Sequence, residues 1–125
     1  MSEELIPADI REFIVNCIDS IAQLEALLLL QREPNAGWSP GEIAGRLYIK
    51  EADALEVLER LRGEELVSKS DDTYRFDPKP EERREIVARL ADLYARHLIP
   101  VTDLVHTKPP RIRAFADAFK LRKDR

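Results

Sequence analysis

Trp38-Ser-Pro-Gly-Glu-Ile-Ala-Gly-Arg-Leu47, Tyr48-Ile-Lys-Glu-Ala-Asp-Ala-Leu-Glu-Val-Leu-Glu-Arg-Leu-Arg62 and Gly63-Glu-Glu-Leu-Val-Ser-Lys-Ser-Asp-Asp-Thr-Tyr-Arg-Phe76 run on without a break, and their reading decides the fold. Ser39 suits an N-cap, Pro40 suits the first helical position, and Glu42 stands where it completes a capping box. Ile43, Ala44 and Leu47 fall on one face of the short helix this begins. A turn follows through Tyr48-Ile49-Lys50. Ala54, Val57, Leu58 and Leu61 have the spacing of a second helix's inward stripe. Gly63, just past that stripe, is expected to take a left-handed cap. Residues 66–69 and 73–76 read as two strands, with Ser70-Asp71-Asp72 turning between them.

The stretch resembles the winged-helix (winged helix-turn-helix) domain of MarR-like bacterial transcriptional regulators. The residues carrying the resemblance are Ile43-Ala44, Arg46-Leu47, Ile49, Val57-Leu58, Arg60-Leu61 and Leu66-Val67, followed by the hairpin. The resemblance implies that the second helix is a recognition helix, that the hairpin is a wing, and that Trp38 adds a short extended segment to it. It covers about a third of the chain directly, and its matching positions are core positions.

Outward from this stretch, the expectation is a mainly α protein with one small β-hairpin. It comprises a single domain over 1–125, divided into N-terminal helices (7–33), the helix-turn-helix and wing (38–77), and C-terminal helices with a basic tail (80–125). Pro7 is expected to open a first helix over 7–18, with Ile10, Phe13, Ile14, Cys17 and Ile18 on its apolar face. Ser20-Ile21-Ala22-Gln23 reads as a second capping box. The helix it starts carries Ile21, Leu24, Leu27, Leu28 and Gln31 on its inner side. Leu29 and Leu30 widen that surface, which marks a central helix. After the connector Asp77-Pro78-Lys79-Pro80, a long helix is expected from about Glu81 to Ile99, with Ile86, Leu90, Leu93, Tyr94 and His97/Leu98 as its stripe. Pro100 is expected to kink it before Val101, Leu104 and Val105 continue the apolar side. Ile112, Phe115, Ala116 and Phe119 have the spacing of a last helix, and Lys120 to Arg125 close the chain with a basic end.

Of the 125 residues, 44% are apolar and 35% charged, which suits one helix-rich core. Met-Ser-Glu-Glu-Leu at the start has no basic region or apolar signal core, and Leu27 to Leu30 is far short of a membrane span. A cytoplasmic location without membrane attachment is the expectation. Cys17 is the only cysteine, so an internal disulfide and a thiolate metal cluster are excluded. His97 and His106 lack metal-ligand spacing, and Asp92 and Asp103 stand without a nucleophile. No catalytic residue, cofactor or metal is expected.

Charge complicates the resemblance. Residues 1–78 carry 8 Lys/Arg against 17 Asp/Glu, whereas residues 79–125 carry 12 against 7. On a helical wheel the second motif helix turns Ala52, Glu56 and Glu59 outward, with Leu55 and Arg62 on one flank and Asp53 and Arg60 on the other. Relatives that read DNA usually place Ser, Thr, Arg, Gln or Asn there. Two expectations stand side by side. In one, a homodimeric regulator binds double-stranded DNA through Arg46, Lys50, Lys69, Arg75, Lys120, Arg122 and Lys123. In the other, the fold is a protein-interaction module that does not bind DNA, and Leu55, Glu56 and Glu59 contact a protein partner. The dimer expectation rests on the long stripe from Ile86 to Val105 and on the charge asymmetry.

Overall fold

A computed structural model describes residues 5–108. It contains α1 (Ala8–Cys17), α2 (Ile21–Arg32), α3 (Pro40–Leu47), α4 (Glu51–Gly63), β1 (Val67–Ser70), β2 (Thr73–Phe76), α5 (Arg83–Arg96) and α6 (Leu98–Thr107). The described residues are thus mainly helical with one two-stranded antiparallel sheet. The expected helix over residues 112–119 lies outside the described residues.

The core is built on α2. Leu24, Ala26, Leu27 and Leu30 are fully buried, and Leu28 and Leu29 nearly so. Its flanks are covered by α3, α4, α5 and β2. The start of α2 departs from a simple capping box. Ser20 Oγ accepts from the Gln23 backbone N–H, but Gln23 Oε1 accepts from Asp19 N–H rather than from Ser20. Gln23 Nε2 also donates to the Cys17 carbonyl at 2.8 Å. The wholly buried amide therefore joins the end of α1 to the start of α2, satisfying the buried Cys17 carbonyl and the part-buried Asp19 N–H.

The Ser39–Glu42 capping box is complete, with Pro40 in the first turn. α3 ends on Tyr48, a left-handed residue (φ 59°, ψ 44°), and Lys50 then precedes α4. The inner stripe of α4 is Ala54, Val57, Leu58 and Leu61, as its spacing requires. Gly63 does not make the left-handed cap. It closes the last helical turn, and the positive φ of 62° falls two residues later on Glu65. The hairpin pairs Val67 with Phe76 and Ser70 with Thr73, one residue beyond the expected first strand. Trp38 forms a bridge to Tyr74 through two backbone hydrogen bonds of 2.8 Å, which adds a single residue to the sheet. Gly37 allows this approach, since a Cβ there would stand 3.0 Å from Thr73 Oγ1.

The C-terminal helices break earlier than expected. α5 begins at Arg83 and stops at Arg96, and the interruption falls on His97 (φ −133°, ψ 61°), not on Pro100. Pro100 instead lies in the first turn of α6, where a missing N–H breaks no helical bond. The register of the stripe shifts with it. Val87, Leu90 and Leu93 are buried, Ile86 is half-buried, and Leu98 is exposed. α1 likewise starts one residue later than expected, with Pro7 as its N-cap.

A single side chain ties these parts together. Arg83 donates to the Glu64 carbonyl at 2.8 Å, to the Lys79 carbonyl at 3.1 Å and to Cys17 Sγ at 2.8 Å. Its guanidinium also lies over the Phe13 ring. Thus α1, the end of α4 and the connector converge on one cation.

Two substitutions test the cap geometry. Nothing lies within 4 Å of a Cβ added at Gly63, so Gly63→Ala should stabilise the chain by about 0.5–1 kcal/mol in urea denaturation. Glu65→Gly should stabilise it by a similar amount, about 0.5–1 kcal/mol, by relieving a left-handed non-glycine residue. Destabilisation by Gly63→Ala would restore the left-handed cap to Gly63.

Candidate functional site

The outward side of α4 is the surface that sequence reasoning singles out. Glu51, Ala52, Asp53, Leu55 and Glu56 are all exposed, with Leu55 at 44%. Tyr48, immediately before the helix, is 94% exposed. Glu51 and Asp53 stand in the first turn, where negative charge suits the helix dipole. Leu55 is one turn beyond Glu51 on the same side.

The cations of α4 are engaged within the chain. Arg60 contacts Asp19 at 3.1 Å and Glu56 at 3.4 Å, and Arg62 contacts Glu59 at 3.2 Å. Asp19 also meets Lys108 at 3.7 Å, and the Lys108 side chain is only 7% exposed. Lys108 is thus seated on Asp19, in the link between α1 and α2. A line of charged contacts thus runs from Lys108 through Asp19 and Arg60 to Glu56.

Glu59 differs from its expected position. It is half-buried, and its carboxylate accepts a hydrogen bond from the Tyr74 hydroxyl while also holding Arg62. The wheel turned it fully outward because helical periodicity takes no account of the hairpin packed along that flank. Glu59 is therefore a tether between α4 and β2, and only Leu55 and Glu56 of the three partner candidates are open to contact. The tether perturbs both groups. Burial, then the bond to Glu59, pushes the Tyr74 phenol from 10.0 up to about 12. The same bond, with Arg62 adding to it, lowers the Glu59 carboxyl below 4.5.

The described candidate DNA contacts sit on α3, at the start of α4 and on the two strands. The Arg46 guanidinium lies 5.1 Å above the Trp38 ring and borders a cleft of about 600 Å³ between α2, α3 and α5. Lys50 is exposed at the start of α4. Lys69 extends over the Tyr74 ring at 5.6 Å, and Arg75 is exposed on β2. Between the two strands, Asp71 and Asp72 form the exposed hairpin tip. Lys120, Arg122 and Lys123 lie outside the described residues.

Among the described residues no group of His, Cys, Asp and Glu is disposed to hold a metal ion, and no helix is long and apolar enough to cross a membrane. No protein-family model, curated protein or solved structure matches this chain.

Two site features escaped sequence reasoning. The Glu59–Tyr74 pair had a faint signal, because a phenol facing inward from a strand requires an acceptor. The seat of Lys108 had none, since Asp19 and Arg60 are remote from it in sequence.

The tether makes stability depend on pH at both ends. The phenol has the higher value in the folded chain, so its contribution is complete below pH 10 and is lost as pH rises towards 12. The carboxylate has the lower value when folded, so its contribution is present above pH 4.5 and is lost as pH falls through the lowered value. In Glu59→Gln, the Tyr74 phenol should ionise at lower pH, part of the way back towards 10, by absorbance at 295 nm with Tyr74→Phe as the blank. An unchanged titration would dissolve the tether.

Proposed function

We propose that this chain is a winged-helix protein whose α4 face docks a basic protein segment rather than the major groove of DNA. The order of α3, turn, α4 and hairpin, with Trp38 joined to β2, supports the winged-helix reading. One observation carries the docking reading. Glu51, Asp53, Leu55 and Glu56 are exposed on α4, whereas both arginines of α4 are held in ion pairs.

Duplex DNA carries a phosphate charge about every 1.7 Å along its axis, so a groove-bound helix lies in a strongly negative potential. Carboxylates on that helix are repelled unless surrounding cations contact the phosphates. Here the hairpin tip adds Asp71 and Asp72 to the same sign of charge. A Lys/Arg-rich segment meets the opposite situation. Its cations find screened but favourable partners, and Leu55 with Tyr48 offers apolar area for an anchoring side chain.

The DNA-binding regulator is the second reading, and Lys50, Lys69 and Arg75 favour it because all three are exposed. In that reading they contact phosphates without base readout, as does Arg46, aided by Lys120, Arg122 and Lys123. A homodimer belongs to the same reading, but its premise has weakened. Val87, Leu90, Leu93, Val101, Leu104 and Val105 are buried within their own chain, and the exposed apolar pair is Leu98 and Ile99.

Fluorescence anisotropy with labelled mixed-sequence duplex DNA separates the readings. The docking reading expects no saturable binding at physiological salt, and a gain of DNA affinity in the triple variant Glu51→Lys/Asp53→Lys/Glu56→Lys. Wild-type binding with a steep negative salt slope, weakened by Lys50→Ala with Lys69→Ala, would replace it with the regulator. For the dimer, light scattering should give a doubled mass that Leu98→Asp/Ile99→Asp returns to a monomer; a wild-type monomer removes it.

A further inference from the structure

The cleft between α2, α3 and α5 plays no part in the reading above. Its volume is about 600 Å³, a size that holds a small organic molecule. One side of it follows from a simple pattern in α2. Glu25, Leu28, Leu29 and Arg32 recur at helical spacing, so all four border the cleft from one side of the helix. Leu28 and Leu29 are nearly buried, whereas Glu25 and Arg32 are exposed. The two charges therefore stand two turns apart, about 10 Å along the axis, at opposite ends of an apolar strip.

The charges bordering the cleft are unevenly matched. Asp92 of α5 is paired with Arg96 at 2.6 Å. Among the described residues, Arg32 and Arg46 have no carboxylate partner, and Glu25 has no cationic one. Arg46 is held over the Trp38 ring at 5.1 Å. Glu25 accepts from the Tyr94 hydroxyl at 3.1 Å, a bond that leaves further lone pairs on the carboxylate open. Burial, then that bond, pushes the Tyr94 phenol up to about 12, so at neutral pH the hydroxyl keeps its proton and remains the donor. The cleft thus offers two open cations and one open carboxylate, separated by leucines.

We propose that this cleft binds a small dipolar molecule, with an oxyanion (carboxylate or phosphate) on Arg32 and Arg46, an aliphatic body along Leu28 and Leu29, and an ammonium on Glu25. A wholly apolar ligand would cover all three charges without partners, which costs free energy. A ligand charged at one end only would do the same to the other end. The dipolar class satisfies both ends while burying the leucines. The inference does not depend on the docking reading, since the cleft shares no residue with the exposed face of α4.

The test uses the full chain and ω-aminooctanoate, whose extended length matches the separation of Glu25 and Arg32. Trp38 is the chain's only tryptophan, so its emission reports on occupation of Arg46. Titration should change that emission saturably and shift the amides of Leu28, Leu29 and Ala91 by NMR. Octanoate and octylamine each carry one of the two charges and should bind about threefold more weakly, the loss of one screened ion pair. This comparison needs no variant.

Two variants, checked for wild-type circular dichroism, assign the ends. Glu25→Gln keeps an acceptor for Tyr94. It should lower the affinity for ω-aminooctanoate to that for octanoate and leave octanoate unaffected. Arg32→Gln/Arg46→Gln, followed by the amide shifts, should lower it to that for octylamine. Aminohexyl phosphate, run in parallel, names the head group: tighter binding than ω-aminooctanoate assigns a phosphate, weaker binding a carboxylate. Saturation by neither probe, equal binding of octanoate and ω-aminooctanoate, or an affinity unmoved by Glu25→Gln would overturn the proposal.

Discussion

Tyr74 is the point on which the small sheet and the helices depend. Its backbone exchanges two hydrogen bonds with Trp38, its ring is wholly buried, and its hydroxyl donates to Glu59. A two-stranded hairpin is marginal alone in water and needs packing against a helix. Tyr74 supplies that packing and, through Glu59, sets how α4 lies along the strands. A buried phenol without an acceptor would carry an uncompensated desolvation cost of about 1–3 kcal/mol, so the acid on α4 is part of the fold's own economy.

That constraint sorts the charges of α4 into two kinds. Glu59, Arg60 and Arg62 are taken up in holding the helix to β2 and to Asp19. Among the described residues, Glu51, Asp53 and Leu55 have no comparable tie to another element, and Glu56 pairs with Arg60 on its own helix. The exposed side chains left over are therefore mostly acidic, with Leu55 on one flank. Its chemistry is the reverse of what a groove-reading helix offers to phosphates, which is why the docking reading is preferred over a function taken from the resemblance alone.

Local signals carried most of the fold. The Ser39–Glu42 box is made by neighbours in sequence, and the stripe from Ala54 to Leu61 follows from helical period, so both were legible. Where sequence reasoning missed, the deciding partner lay elsewhere in the chain. The Gln23 side chain bonds Asp19 and Cys17 rather than the Ser20 backbone, because α1 ends against it. Arg83 carries no local signal of its role, because its partners Cys17 and Glu64 are remote from it in sequence. The break at His97 shows that proline is not the automatic breakpoint, since Pro100 is tolerated in a first turn. At the candidate site, exposed and inward positions on α4 were readable from period alone, but the second layer of contacts that claims Glu59 was not.

The central claim is that the open face of α4 selects positive charge and refuses nucleic acid. Amide chemical-shift mapping by NMR tests it most directly, with one labelled sample of the full chain titrated first with an arginine-rich peptide and then with a duplex oligonucleotide. The account predicts that the peptide shifts the amides of Glu51, Leu55 and Glu56 and that the duplex leaves them unmoved. Shifts along α4 and the hairpin tip with the duplex, and none with the peptide, would contradict it.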